Sequence, residues 1–291
     1  MNADQLSQSA AFIAIKFYGL TREEQFSNLF DPAVISFYER VVQSLPPPLR
    51  YYHYWLRFRP VRSLYMAAEE LFLPGDLMHI LARKWYMEEM AGDLADRGYE
   101  QMLVLGAGFD HLGLRYAGRG IPALELDTPR MAQLKTQLLE QYYAEKPRPD
   151  IQPFMFPDHS LSGLLQQQQI LSPDKKTMII AEGFFDYLNK EAVGDLLSTL
   201  RRYFTSPVLL STHFALDELP PFHRFIFRSS LRIVGETPKF DASMETFRAL
   251  LHNSGFRIQK EYSLQSISQD LLSSISADLP ILKGFYLFSA R

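Results

Sequence analysis

Two short stretches of this 291-residue chain bring together residues that can do chemistry. The first is Gly106-Ala107-Gly108-Phe109-Asp110-His111, directly after the apolar run Met102 to Leu105. Gly106 permits a tight turn, and Gly108 lets backbone approach a ligand closely. The second is Glu125-Leu126-Asp127, at the end of the next apolar run. A carboxylate about 20 residues past the first glycine accepts hydrogen bonds from both hydroxyls of a ribose. Together they describe a site for a nucleoside-containing cofactor.

Two cofactor classes compete for such a turn. A dinucleotide rests its pyrophosphate on the helix N-terminus and favours a third glycine, where this chain has His111. Asp110 would also set a negative charge beside the phosphates. A sulfonium cofactor carries a positive charge and an ammonium but no phosphate, so an acid in the turn is tolerated or helpful. The residue types thus favour S-adenosylmethionine over NAD. An α/β domain whose glycine turn binds nothing is the third reading at this level.

The elements that must position these residues fall in two regimes. Residues 1 to about 90 read as helical. Asp31 is an N-cap with Pro32 at the first helical position, and Pro46, Pro47 and Pro48 end that helix. The tract RYYHYWLRFRPVRSLY (50 to 65) interleaves aromatic and basic residues. It reads either as a surface for stacking nucleotides or as an amphipathic helix whose Arg stems cover aromatics.

From about residue 99, β-type runs alternate with helical segments, which predicts a parallel sheet covered on both faces. The strands are expected at 102–108, 122–127, 151–156, 177–185, 208–214, 256–263 and 285–291. Helices are expected from Thr128-Pro129, from Asn189 and from Ser243, the last closed by Gly255. Residues 164–176 are expected as a polar helix end and loop, and residues 215–241 as an excursion off the sheet.

Composition narrows the function classes. With 47% hydrophobic residues and 22% charged, the chain can bury a full core. A net charge of −3 lacks the basic footprint of a dedicated nucleic-acid binder. Zero cysteines exclude disulfides, thiolate metal sites and a catalytic thiol. No apolar run reaches membrane-span length and no secretory leader pattern opens the chain, so no membrane partner and a cytoplasmic location are expected. No HExxH or other tight ligand spacing is present, and no metal is expected. Either a monomer or a homodimer is compatible with this size.

LVLGAGFDHLGLRYA (103 to 117) resembles the Leu-Gly-Ala-Gly-x-Asp block of the leucine carboxyl methyltransferase-like family, class I S-adenosylmethionine-dependent O-methyltransferases. ALELDTPRMAQLK (123 to 135) is similar to that family's acidic second-strand block. IIAEGFFDYLNKEAVGDLL (179 to 197) is similar to its Ala-Glu-Gly block after strand four. NLFDPAV (28 to 34) and HILARKWYMEEM (79 to 90) resemble its N-terminal element and its arginine-bearing helix. The order and spacing agree over most of the chain.

The resemblance implies a Rossmann-like class I methyltransferase fold. It has a seven-stranded, mostly parallel sheet with the last strand antiparallel. Residues 1–90 would form a helical cap, and 91–291 the catalytic domain with a lid-like insertion at about 215–241. It implies that Arg83 holds the cofactor carboxylate and that Gly106 and Gly108 lie against its methionine part. Asp127 would hold the ribose, and Glu182 would stand near the amino-acid end. Ala107, Asp110, Thr128 and Gly183 complete the expected contacts. Where the family places Asp-Leu beside the adenine, this chain has Met155-Phe156, with Asp158 three residues on; His111, Leu114 and Asp186 also depart from the pattern.

Methyl transfer from a sulfonium is an in-line displacement in which alignment and water exclusion do most of the work. A carboxylate acceptor needs no base; a hydroxyl acceptor does. His213 and His111 are the candidate bases, and Tyr187 a positioning hydroxyl. The aromatic tract Tyr51 to Phe58 is expected to line an acceptor pocket under the cap. The function implied is O-methylation of a carboxylate or hydroxyl on a small molecule, ahead of a protein C-terminus. The rivals are a non-catalytic S-adenosylmethionine-binding relative and an NAD-dependent oxidoreductase.

Overall fold

The structure, a computed structural model, describes residues 5–233, 235–236, 238–275 and 280–291. Its first part is helical, with main helices Gln8–Leu20, Pro32–Ser44, Arg59–Phe72 and Asp76–Asp96. Asp31 caps the second of these by accepting from the Ala33 N–H at 2.9 Å, and Pro32 occupies its first turn. A missing N–H costs nothing there. Phe17 and Tyr38 lock the first two helices together, with ring centroids 4.4 Å apart.

Among the described residues, seven strands form one sheet: β1 (Gln101–Leu105), β2 (Ala123–Asp127), β3 (Asp150–Pro153), β4 (Lys176–Ala181), β5 (Ser206–Phe214), β6 (Ile258–Tyr262) and β7 (Phe285–Ala290). The spatial order is β3-β2-β1-β4-β5-β7-β6. All pairings are parallel except those of β7, which runs antiparallel to β5 and β6. The strand order reverses between β1 and β4, and ligands of open α/β sheets bind at that crevice.

Continuous apolar strands follow from covering both faces. Met102, Val104, Met178 and Ile180 join the core formed with the N-terminal helices. Their alternate neighbours Leu103, Leu105, Ile179 and Ala181 join a second core under the helices Leu161–Gln167, Lys190–Tyr203 and Met244–Asn253. The N-terminal helices thus pack directly on the sheet.

Several strands are shorter than their apolar runs. β3 stops at Pro153, before Phe154 to Phe156. β4 stops at Ala181, because Gly183 takes φ +62° and turns the chain away from the sheet. The polar stretch near 164 carries the helix Leu161–Gln167, and the excursion contains the helix Pro221–Ile233. The helix Leu264–Ile275 between β6 and β7 was not expected. Its buried Ile267, Leu271 and Ile275 recur at the helical four-residue spacing. Among the described residues no helix is long and apolar enough to cross a membrane.

Candidate functional site

A cavity of about 440 Å³ opens at the carboxyl ends of β1, β2, β4 and β5, beneath the N-terminal helices. Of the residues expected from sequence, Arg83, Gly106, Ala107, Gly108, Asp110, Asp127, Glu182, Gly183 and Tyr187 line it. Gly106 has φ +62°, and a Cβ there would stand 2.5 Å from the Phe184 ring. Only glycine gives both that turn and that closeness. Asp127 accepts from the Gly108 N–H at 2.5 Å through one oxygen and from the Thr128 N–H at 2.6 Å through the other. Each oxygen keeps acceptor capacity, and burial raises its carboxyl above the usual range.

A buried charge cluster forms the floor. Arg83 Nε donates to Glu182 at 2.6 Å, while Lys84 Nζ stands 3.0 Å from Asp110 and 2.9 Å from Glu182. Burial opposes the charge of Lys84, but Glu182, Tyr38 and Asp110 outweigh it and hold the ammonium above its ordinary range. Burial likewise opposes Asp110, and Lys84 with His111 more than offsets it, so this carboxyl is depressed. Asp110 is therefore a neutralised acid that also accepts from the Leu112 N–H at 2.7 Å. Its repulsion of a phosphate is weaker than its position in the glycine turn implies.

Thr128, Met155, Phe156 and His213 stand outside the cavity wall. Thr128 precedes the helix Pro129–Tyr143, with its hydroxyl buried and unpartnered among the described residues. Phe156 packs 4.8 Å from Phe184, which does line the cavity, while the Met155 N–H donates to His159. Asp158 is exposed.

Neither histidine singled out as a base faces the cavity. His213 is fully buried, with Nε2 donating to the Ala242 carbonyl at 2.8 Å and Nδ1 3.1 Å from Asp186. Burial opposes its charge, but Asp186 and the carbonyl raise its pKa above the ordinary value. The unusual Asp186 thus has a partner in His213. His111 has one ring nitrogen on Glu88 and the other on the Tyr38 hydroxyl.

The aromatic tract also lies elsewhere. Tyr54, Trp55 and Phe58 are 58%, 50% and 65% exposed, and none lines the cavity. Phe72 and Leu73, at the end of the following helix, do. Sequence reasoning missed Lys84 and a polar group of Lys16, Glu69, Asp76 and His79 on the cavity wall. Asp76, His79 and Arg83 stand at i, i+3 and i+7 on one helix, a single-face spacing that was there to be read.

A model of the family described as leucine carboxyl methyltransferase matches residues 55–201. The chain belongs to the leucine carboxyl methyltransferase family. A Mycobacterium avium protein provisionally named an S-adenosyl-L-methionine-dependent methyltransferase is 31% identical over 122 residues, 42% of this chain. That match spans 39% of the relative's length. Among solved structures, a provisionally named methyltransferase from Thermobifida fusca aligns with TM-score 0.58 at 15% identity, covering 87% of this chain and 93% of its own. A DUF574 family protein from Streptomyces avermitilis aligns with TM-score 0.59 at 12% identity, covering 80% and 91%. These likenesses show the fold.

The residues of this leucine carboxyl methyltransferase family member fit S-adenosylmethionine. Arg83 engages Glu182 only through Nε, and among the described residues its terminal nitrogens have no protein partner. A planar guanidinium with free N–H groups suits a carboxylate. Glu182 and Asp127 present carboxylate acceptors to the cavity, and Phe184 gives it an apolar face.

Proposed function

We propose that the protein is an S-adenosylmethionine-dependent O-methyltransferase acting on a carboxylate or hydroxyl of a small molecule. One observation carries the reading. A single cavity joins the Gly106–Gly108 turn, Asp127 and the Arg83–Glu182 pair to an apolar compartment that includes Ile13, Phe72, Phe214, Leu216 and Phe240. When bound, the cofactor supplies an electrophilic methyl group on a sulfonium. Arg83 holds its carboxylate, Glu182 its ammonium and Asp127 its ribose. The glycine turn lets the backbone lie against it, Phe184 bounds the base, and Tyr187 orients the acceptor. The helices above the strand ends keep water out, which strengthens every charge interaction inside.

The charge balance supports a sulfonium over a dinucleotide. Seven carboxylates and three Lys or Arg side chains line the cavity. Such a lining attracts a cation and repels a pyrophosphate. Calorimetric titration with S-adenosylmethionine, S-adenosylhomocysteine and NAD tests the reading. Binding of the sulfonium pair, weakened in Asp127→Ala and absent for NAD, is expected. Failure of both to bind overturns it, and NAD binding instead would restore the oxidoreductase.

A further inference from the structure

Resting on that reading, we propose that His79, positioned by Asp76, is the general base of the reaction and that the acceptor is the hydroxyl of an apolar alcohol or phenol rather than a carboxylate. His79 lines the cavity, one helical turn (about 6 Å) before Arg83 on the same helix. Its Nδ1 lies 3.2 Å from Asp76 Oδ1. The N–H is aimed off the line to that oxygen, a looseness common in catalytic pairs before substrate binds. Among the described residues no protein group bonds Nε2.

The groups facing this ring come from every element packed on it. Asp76 and Arg83 share its helix, and Lys16 of the Gln8–Leu20 helix meets Asp76 at 2.5 Å and Glu69 at 2.7 Å. From β5 and β7 the Phe214 and Phe285 rings meet it, each edge-on at 5.2 Å. Lys16 keeps Asp76 ionised, and an ionised Asp76 selects the tautomer with the proton on Nδ1. Nε2 is then the ring's acceptor, on a side chain that lines the cavity. Burial holds the imidazole below its ordinary pKa, so it is neutral at pH 7 and able to accept a proton.

The same lining argues against a carboxylate acceptor. Each of the three Lys and Arg side chains already faces a carboxylate: Lys16 meets Asp76 and Glu69, Arg83 meets Glu182, and Lys84 meets Asp110 and Glu182. Arg83 is further committed to the cofactor. An anionic acceptor would enter an anionic cavity with no cation to receive it. A hydroxyl enters neutral. As its oxygen bonds to the methyl carbon, its O–H bond breaks and the proton passes to His79 Nε2. The electron pair of the carbon–sulfur bond stays on sulfur, leaving a neutral thioether, the methyl ether and an imidazolium beside Asp76.

The test reads the imidazole directly, by nitrogen-15 NMR of histidine-labelled protein with and without saturating S-adenosylhomocysteine. His79, assigned with His79→Gln, is expected to be neutral at pH 7, with its proton on Nδ1 and a midpoint below 6.5. Asp76→Asn should shift the tautomer toward Nε2–H, which a merely structural Asp76 would not do. A wild-type midpoint above 7, or a wild-type Nε2–H tautomer, overturns the assignment whether or not any variant folds. The acceptor class is read by calorimetry on the S-adenosylhomocysteine complex with 2-naphthol and 2-naphthoate, probes of matched shape. Naphthol is expected to bind at least tenfold more tightly. Preference for naphthoate, equal binding, or binding of neither overturns the hydroxyl assignment. Failure of S-adenosylhomocysteine itself to bind is a failure of the methyltransferase reading, and the NMR of the free protein still decides the state of His79.

Discussion

At the Gly106–Asp127 end of the cavity, backbone does much of the positioning; at the end around His79, Phe214 and Leu216, side chains from well-separated segments do. The first end is built from turns that follow β1, β2 and β4, and its shape comes from glycines at positive φ and from N–H groups fixed by Asp127. The second is assembled from the Gln8–Leu20, Arg59–Phe72 and Asp76–Asp96 helices and the 215–241 segment. Strand-end geometry leaves little room for variation, while helix surfaces can change with few consequences for the sheet. A fixed cofactor and a variable acceptor are served by that division. The Asp76–Asp96 helix crosses it, with Arg83 and Lys84 at one end and Asp76 and His79 at the other.

The largest effect belongs to Lys84. It neutralises Asp110 and Glu182 at once, with all three side chains buried. Lys84→Met leaves Asp110 buried without its cation, while Glu182 keeps Arg83. Removing one partner of a buried ion pair costs about 3–5 kcal/mol, and urea unfolding should report a loss in that range. A loss below about 1 kcal/mol would mean that the floor is more hydrated than its burial implies.

Asp127→Ala comes next. Hydrogen bonds to a charged group contribute about 1.5–3 kcal/mol, so S-adenosylhomocysteine affinity should fall roughly ten- to a hundredfold. The equivalent truncation at the other end, Leu216→Ala, should leave that affinity within twofold while lowering stability, because Leu216 is buried on the acceptor side. Equal losses of affinity in both variants would erase the distinction between the two ends.

Acid should affect both ends alike. Asp76 and Asp110 each have a carboxyl depressed below its ordinary value: burial works against ionisation, but Lys16 at one and Lys84 at the other outweigh it. A depressed carboxyl contributes stability that is complete above its unfolded pKa and is lost as pH falls through the folded one. The contribution of these two carboxylates should therefore be constant from neutral pH down to the usual carboxylate range and be lost below it, where the unfolding temperature should fall steeply. Asp76→Asn should be less stable at pH 7 but show a shallower acid slope.

How much could be read in advance follows the same division. The glycine turn and Asp127 sit in motifs whose spacing is set by a strand and its turn, while Arg83 and Glu182 were placed by the resemblance to a family; all of them line one cavity. The strand order rested on the resemblance to a family. Met155 and Phe156 were placed by alignment alone; β3 ends before them, and only the stacking of Phe156 on Phe184 connects them to the cavity. His213 and His111 were singled out for residue type at a strand end and in the glycine turn. What decides the role of a histidine is where its ring nitrogens point, and for both that is fixed by tertiary partners distant in sequence, Ala242 and Asp186 for one, Glu88 and Tyr38 for the other. Asp76 and His79 were accessible through helical spacing but lay outside any strand end, where attention to an α/β sheet naturally falls.

The smallest effect belongs to Trp55. Rich in aromatics and next to a cap, its tract invites the idea of a lid that closes over the acceptor. The structure turns it outward, with Trp55 half exposed and resting on Tyr52 at 5.5 Å and Tyr51 at 6.2 Å. Surface substitutions away from networks change stability by about 0.5 kcal/mol or less, so Trp55→Phe should unfold at nearly the wild-type urea concentration. The chain holds one other tryptophan, Trp85, in the helix that carries Arg83 and Lys84. Any fluorescence change on adding S-adenosylhomocysteine should therefore come from Trp85 and survive intact in Trp55→Phe. Loss of that change in the variant would place the aromatic tract over the occupied cavity and would make the acceptor end a closing surface rather than a preformed one.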